Sequence, residues 1–180
     1  MIAFAWASLA LTVQAAPNVP ALTGRVVDQA NLLSPATERE LGQDLADLES
    51  STGAQFVVVT LPDLQGYPID EFGYRMGREW GIGRAEQDDG VLLIVAKAER
   101  KVRIEVGYGL EGILTDAWSS HTIRRSIVPL FRQGDFDGGV RAGARAIIDQ
   151  ISADPETQQA RLQNLRTQER NEDQVLFIIV

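Results

Sequence analysis

Four carboxylates in one segment could act together: Asp88, Asp89, Glu111 and Asp116. Gathered closely, such groups repel, and some stay protonated unless a positive charge stands among them. A divalent cation supplies that charge. Calcium suits the set, because it accepts about 6–8 oxygens in flexible geometry, from carboxylates and backbone carbonyls alike. Gly90, Gly107, Gly109 and Gly112 would let carbonyls come close. The spacing is not that of an EF-hand loop. A structural reading competes with the metal one: Asp88 and Asp89 in a solvated turn, and Asp116 at a helix start. Spacing alone leaves both open.

Other chemistry is less well supplied. The run from Gly107 to Gly112 echoes phosphate-binding loops but lacks the Lys-Ser/Thr of a P-loop and the dinucleotide spacing. A tight loop leaving a strand accounts for it better. His121 is the single histidine and lies more than one helical turn beyond Asp116; there is no cysteine and no nucleophile elbow. A catalytic triad therefore lacks its parts. Arg124, Arg125 and Arg132 could hold an anion, although a solvated helix face is the commoner role of such residues.

The elements that must position the carboxylates follow from hydrophobic periodicity. Val91–Ala96 is an unbroken apolar run, as in a strand covered on both faces. Lys101–Val106 alternates, with Val102, Ile104 and Val106 on one face and Lys101, Arg103 and Glu105 on the other. The short Glu99-Arg100 connection predicts an antiparallel hairpin. A hairpin sets the start of its first strand beside the end of its second, so Asp88 and Asp89 fall near the glycine loop, Glu111 and Asp116.

Upstream, Ser34 as N-cap, Pro35 at the first position and Gly53 after the last turn bracket a helix carrying Leu41, Leu45 and Leu48. Ala54–Leu61 reads as a central strand, and Ile69, Phe72, Met76 and Trp80 mark a second helix. A third helix is expected from Thr115 or Asp116 to Pro129, and a fourth from Asp137 to Ser152. This order predicts an α/β fold: a three-layer α/β/α sandwich with a small mixed sheet containing the hairpin.

The chain has 180 residues, 44% of them hydrophobic, and a net charge of −8. That charge argues against a nucleic-acid partner. Residues 1–24 carry no charged side chain, and Val13-Gln14-Ala15 presents small residues where signal peptidase reads. Residues 1–15 are therefore expected to be a signal peptide, without the usual basic start. Residues 16–24 follow as linker and 25–153 as the domain. Residues 154–174 read as a polar linker, and the abruptly apolar 175–180 as the start of a truncated transmembrane helix. The expected location is the periplasmic or extracytoplasmic face, after secretion across the inner membrane, with a C-terminal membrane anchor.

Several runs together resemble the TPM-domain family: WGIG (Trp80–Gly83), DDGVLLIVA (Asp88–Ala96), RKVRIEVGYGLEG (Arg100–Gly112), LTD (Leu114–Asp116), IVPLFRQGDFDGGV (Ile127–Val140) and DQANLL (Asp28–Leu33). The resemblance covers about Val26 to Ala153. It implies an α/β/α sandwich, an extracytoplasmic and membrane-anchored setting, and a calcium pocket at the sheet end. The ligand set it implies is Asp88, Asp89 and Asp116, then Glu111 and Asp28. It implies a role in upkeep or assembly of membrane protein complexes. The alternative, drawn from plant members of the family, is a metal-assisted acid phosphatase acting on phosphomonoesters, in which the cation polarises a phosphoryl oxygen.

Overall fold

The computed structural model describes residues 16–178. The expected signal peptide, residues 1–15, lies outside the described residues, as do Ile179 and Val180 at the end of the apolar tail. The helix preceding the first long strand begins as the sequence predicts. Ser34 accepts a hydrogen bond from the Thr37 N–H, Pro35 follows, and α1 runs Pro35–Thr52 to a left-handed Gly53. The strands are β1 (Val26–Asp28), β2 (Gln55–Leu61), β3 (Gly90–Ala96) and β4 (Lys101–Val106). They form one sheet in the order β1-β2-β3-β4; β1, β2 and β3 are parallel and β4 is antiparallel to β3. The predicted hairpin is present, with Val91 opposite Val106 and Ala96 opposite Lys101.

Every residue of β3 is buried. Alternate side chains serve two cores, which is why its sequence is continuously apolar. Val91, Leu93 and Val95 join Phe56 and Val58 of β2 and the α1 leucines on one face. Leu92, Ile94 and Ala96 join Val57, Val59 and Leu61 and the α2 residues Phe72 and Met76 on the other; α2 runs Ile69–Trp80. The fold is thus the expected α/β/α sandwich. The connections β1-α1-β2 and β2-α2-β3 step the same way across the sheet yet cover opposite faces. They consequently have opposite hands, and one departs from the usual right-handed crossover.

Two expectations need correction. The third helix does not run unbroken. α3 (Asp116–Thr122) passes into a wide π-type turn, Ile123–Ile127, before α4 (Val128–Arg132). Pro129 has no N–H to donate and its ring crowds the carbonyl one turn back, so the turn ahead of it widens.

The stretch read as a polar linker is also helical: α6 spans Pro155–Ile178. Its start carries a cap that composition conceals, with the Thr157 N–H and hydroxyl both donating to the Asp154 carboxylate at 2.9 and 2.7 Å. Gln158 donates to the carbonyls of Gln150, Ile151 and Ala153, and Arg161 to that of Asp149. These are carbonyls at the end of α5 (Phe136–Ile151), which would otherwise lack partners. Leu162 is buried in the larger core. Among the described residues no helix is long and apolar enough to cross a membrane.

If α6 is part of the domain, Leu162→Ala should destabilise it by about 2–4 kcal/mol. Gln163→Ala on the exposed face should stay within about 0.5 kcal/mol. Urea unfolding of both variants decides; equal, negligible effects would mean that α6 is detached.

Candidate cleft at the start of strand β3

The hairpin register brings the end of β4 back to the start of β3, where the 3-10 turn Tyr108–Leu110 passes over the loop ahead of β3. The approach is close. Gly107 donates to the Gly90 carbonyl at 2.7 Å and Gly109 to the Asp88 carbonyl at 3.1 Å. A Cβ on Gly107 would overlap the Asp88 carbonyl, and one on Gly109 that of Gln87. The glycines at 107 and 109 are therefore demanded by backbone contact. Asp88 takes a left-handed conformation, φ 47°, which aspartate tolerates better than most residues.

These contacts wall a cleft of about 640 Å³ between the end of α2 and the β4 exit. Asp88 and Glu111 both line it, with Tyr74, Arg78, Glu105 and Tyr108 around them. Glu105 is paired with Arg103. Arg78 lies over the Tyr74 ring, 5.6 Å from its centroid. Tyr108 is 79% exposed, an apolar surface held out to solvent at the rim.

Asp89 is spent differently. It is 6% exposed, and its carboxylate accepts from the Arg84 backbone N–H at 2.9 Å, from Arg84 Nε at 2.7 Å and from Arg84 Nη2. Burial opposes its charge, but the side-chain and backbone hydrogen bonds from Arg84, with the attraction of its guanidinium, hold the carboxyl below its ordinary value. The guanidinium rests where a side chain on Gly53 would stand. Gln55 closes the arrangement: its N–H donates to the Asp89 carbonyl and its Oε1 accepts from Gly83 N. Asp89 thus fixes the loop and is not placed as a free ligand.

Asp116 opens α3 behind the Thr115 cap and is exposed, but it is not among the cleft residues. Asp28 lies at the far end of the sheet, since its partner in the ladder is Thr60 and that of Thr60 is Val95. Its carboxylate accepts from the N–H groups of Leu32 and Leu33 and from the Thr60 hydroxyl, shaping the turn into α1. It cannot join Asp88. His121 is half-buried on α3, away from the cleft lining. Among the described residues no group of three or more His, Cys, Asp or Glu is placed to hold a metal ion. Of the five expected ligands, Asp88 and Glu111 share the cleft. Arg84, Tyr74, Arg78 and Tyr108 were not singled out by sequence. Arg84 had one signal, a basic residue opening a polar loop that ends in two aspartates.

A carboxyl whose folded pKa is depressed adds stability above its unfolded value, near 4, and loses it as pH falls through the folded value. Asp89→Asn should therefore lower the Tm at pH 7, and the difference from the parent should narrow as the pH falls below the ordinary carboxyl range and through the depressed folded value. Melts across that range test this; a pH-independent difference would remove the charge from the explanation.

A family model described as the TPM domain matches residues 26–150. Among solved structures, the N-terminal domain of a protein from P. gingivalis is 38% identical, with a TM-score of 0.66 over 72% of this chain and 82% of that one. The N-terminal domain of cg2496 from Corynebacterium glutamicum is 18% identical, with a TM-score of 0.56 over 77% and 91%. BA42 from the psychrophilic bacterium Bizionia argentinensis is 21% identical, with a TM-score of 0.57 over 67% and 81%. At these identities the last two show likeness of fold alone. A comparison with curated proteins gave no match. The sheet, the two helical layers and the match across residues 26–150 make this chain a member of the TPM-domain family.

Proposed function

We propose that the domain is an extracytoplasmic, membrane-anchored binding module whose cleft takes a divalent cation, calcium, and that it serves the assembly or upkeep of membrane protein complexes. The supporting observation is the pair Asp88 and Glu111 in one cleft, both exposed and neither in an ion pair among the described residues. The donor set fits calcium only in part. Two carboxylates leave most of a 6–8-oxygen shell to water and carbonyls, which suits an affinity in the range of extracellular modules, Kd about 10⁻⁴ to 10⁻³ M. Asp89 contributes by holding the loop, through Arg84, in the shape that presents Asp88. The extracytoplasmic and anchored setting is supported by the uncharged start and the apolar tail of the sequence.

The cleft lining contains no serine, threonine, cysteine or histidine. Arg78 could meet a phosphoryl group, but, the two tyrosines aside, the only groups in the lining for acid–base or nucleophilic work are the carboxylates of Asp88, Glu105 and Glu111, of which Glu105 is paired with Arg103 and the other two are the proposed ligands. Binding is therefore preferred over the phosphatase reading.

Calcium at about ten times its Kd should stabilise the protein by about 1.4 kcal/mol, seen as a rise in Tm. Asp88→Asn with Glu111→Gln should abolish the rise. Asp89→Asn should lower the starting Tm and, by loosening the loop that presents Asp88, reduce the rise without abolishing it. An unchanged rise in the Asp88/Glu111 variant sinks the proposed site. Metal-dependent turnover of p-nitrophenyl phosphate that disappears in the same variant would replace this reading with the phosphatase.

A further inference from the structure

The other end of the hairpin has the opposite chemistry. A concave cleft of about 890 Å³ opens beside the β3–β4 turn, between the strand ends and the segment from α3 to the start of α5. Its apolar floor includes Val102 and Phe131, and Lys97, Arg100, Lys101 and Arg132 stand around it with no acidic residue in the lining. All four cations are exposed, in a chain whose net charge is −8. None makes an ion pair among the described residues; Lys97 donates to the Ala30 carbonyl at 3.2 Å. None of the nearby acids pairs with these four cations among the described residues; they turn to backbone N–H groups, and the second oxygen of Glu99 is buried without a partner. Glu99 accepts from Leu64 N, Asp135 from Gly138 N and Asp137 from Ser34 N.

A second, independent observation lies alongside. β4 is an edge strand, hydrogen-bonded to β3 alone. Gly107 N donates to Gly90 O, so in the antiparallel alternation Lys101, Arg103 and Glu105 direct their backbone groups at β3. Val102, Ile104 and Val106 direct theirs outward, where no partner meets them among the described residues. A row of unpaired N–H and C=O groups is a template for one more strand.

We propose that β4 and the basic cleft together bind an extended segment of a partner protein, added as a fifth strand, with its acidic side chains meeting Arg100, Lys101 and Arg132 and an apolar side chain seated on Val102 and Phe131. The backbone edge favours a peptide over a lipid headgroup, since a lipid would leave the outward N–H groups of β4 unused. Charge complementarity selects an acidic segment from among extended ones. Alternate residues of the added strand face the cleft, so the segment carries its anchors at every second position.

The probe is a fluorescent synthetic peptide whose every second residue is in turn glutamate and valine or phenylalanine, with threonine between, so that acidic and apolar anchors share one strand face; it is titrated against the full chain. It should bind, more weakly as salt is raised, and more tightly than its lysine-for-glutamate counterpart. Lys101→Glu with Arg132→Glu, both at exposed positions, should weaken binding by about tenfold or more. Glu86→Gln, exposed in the loop at the opposite sheet end and outside both clefts, should leave it unchanged. Two peptides N-methylated on complementary alternate residues test the strand: one should lose binding and the other keep it. No binding of the peptide, equal binding of the lysine form, indifference to the double substitution, or undiminished binding of both N-methylated forms each overturns the proposal. Binding of phosphatidylglycerol vesicles without the peptide also overturns it, in favour of a lipid surface.

Discussion

Burial of β3 on both faces is the constraint from which the rest follows. A seven-residue strand with every side chain inside needs cover above and below, and needs paired neighbours on both edges for its backbone. β2 and β4 supply the pairing, α2 one cover, and α1 with α5 the other. The same burial fixes register. A slip of one residue would exchange Leu93 and Ile94 between two differently shaped cores, and both are fully buried. Because register is fixed, what lies at either end of the hairpin is fixed as well. At the β3 entrance the buried Asp89, paired with Arg84, holds the loop, so Asp88 beside it can remain exposed and charged.

Elements governed by local signals were legible. Ser34, Pro35 and Gly53 wrote the limits of α1, and the alternation of Lys101–Val106 against the solid run of β3 wrote the hairpin. The errors arose where overall composition was weighed above a local signal, as at Asp154-Pro155, which starts α6 as Ser34-Pro35 starts α1. α6 has a polar composition with no strong apolar stripe, so it reads as linker; it is held through Gln158, Arg161 and Leu162, whose partners belong to the end of α5 and the core. The widened turn before Pro129 could have been suspected from the proline; the seating of Ile127 close against Gly143 of α5 could not.

The acidic site was legible as a place and not as a set of roles. Topology carried Asp88 and Glu111 to one cleft, as the hairpin required. Adjacent aspartates at a strand entrance nevertheless point different ways, and the inward one must find a counter-charge or give up its own. Asp89 found Arg84, five residues earlier, because the intervening loop doubles back under the Arg84 carbonyl, which accepts from both Gln87 and Asp88. Asp28 shows the opposite limit. A conspicuous aspartate in a family motif is here a turn-former, its oxygens filled by Leu32, Leu33 and Thr60, and strand direction alone places it at the wrong end of the sheet.

Strand direction also keeps the chain's exposed charges apart by sign at the two ends of the hairpin. Asp88, Glu105 and Glu111 lie at one end of the hairpin and Lys97, Arg100, Lys101 and Arg132 at the other. At roughly 3.3 Å per residue, the length of β3 separates the two ends by about 20 Å. That exceeds the screening distance of about 8 Å at physiological salt, so neither end feels much of the other. The clefts also open toward different faces, the acidic one beside Leu92 on the α2 side and the basic one beside Val95 and Val102 on the α5 side. A cation at one and an acidic segment at the other would therefore bind without electrostatic competition. Coupling between them would have to pass through the hairpin itself, and a strand buried along its whole length, with its register held by two cores, has little room to move.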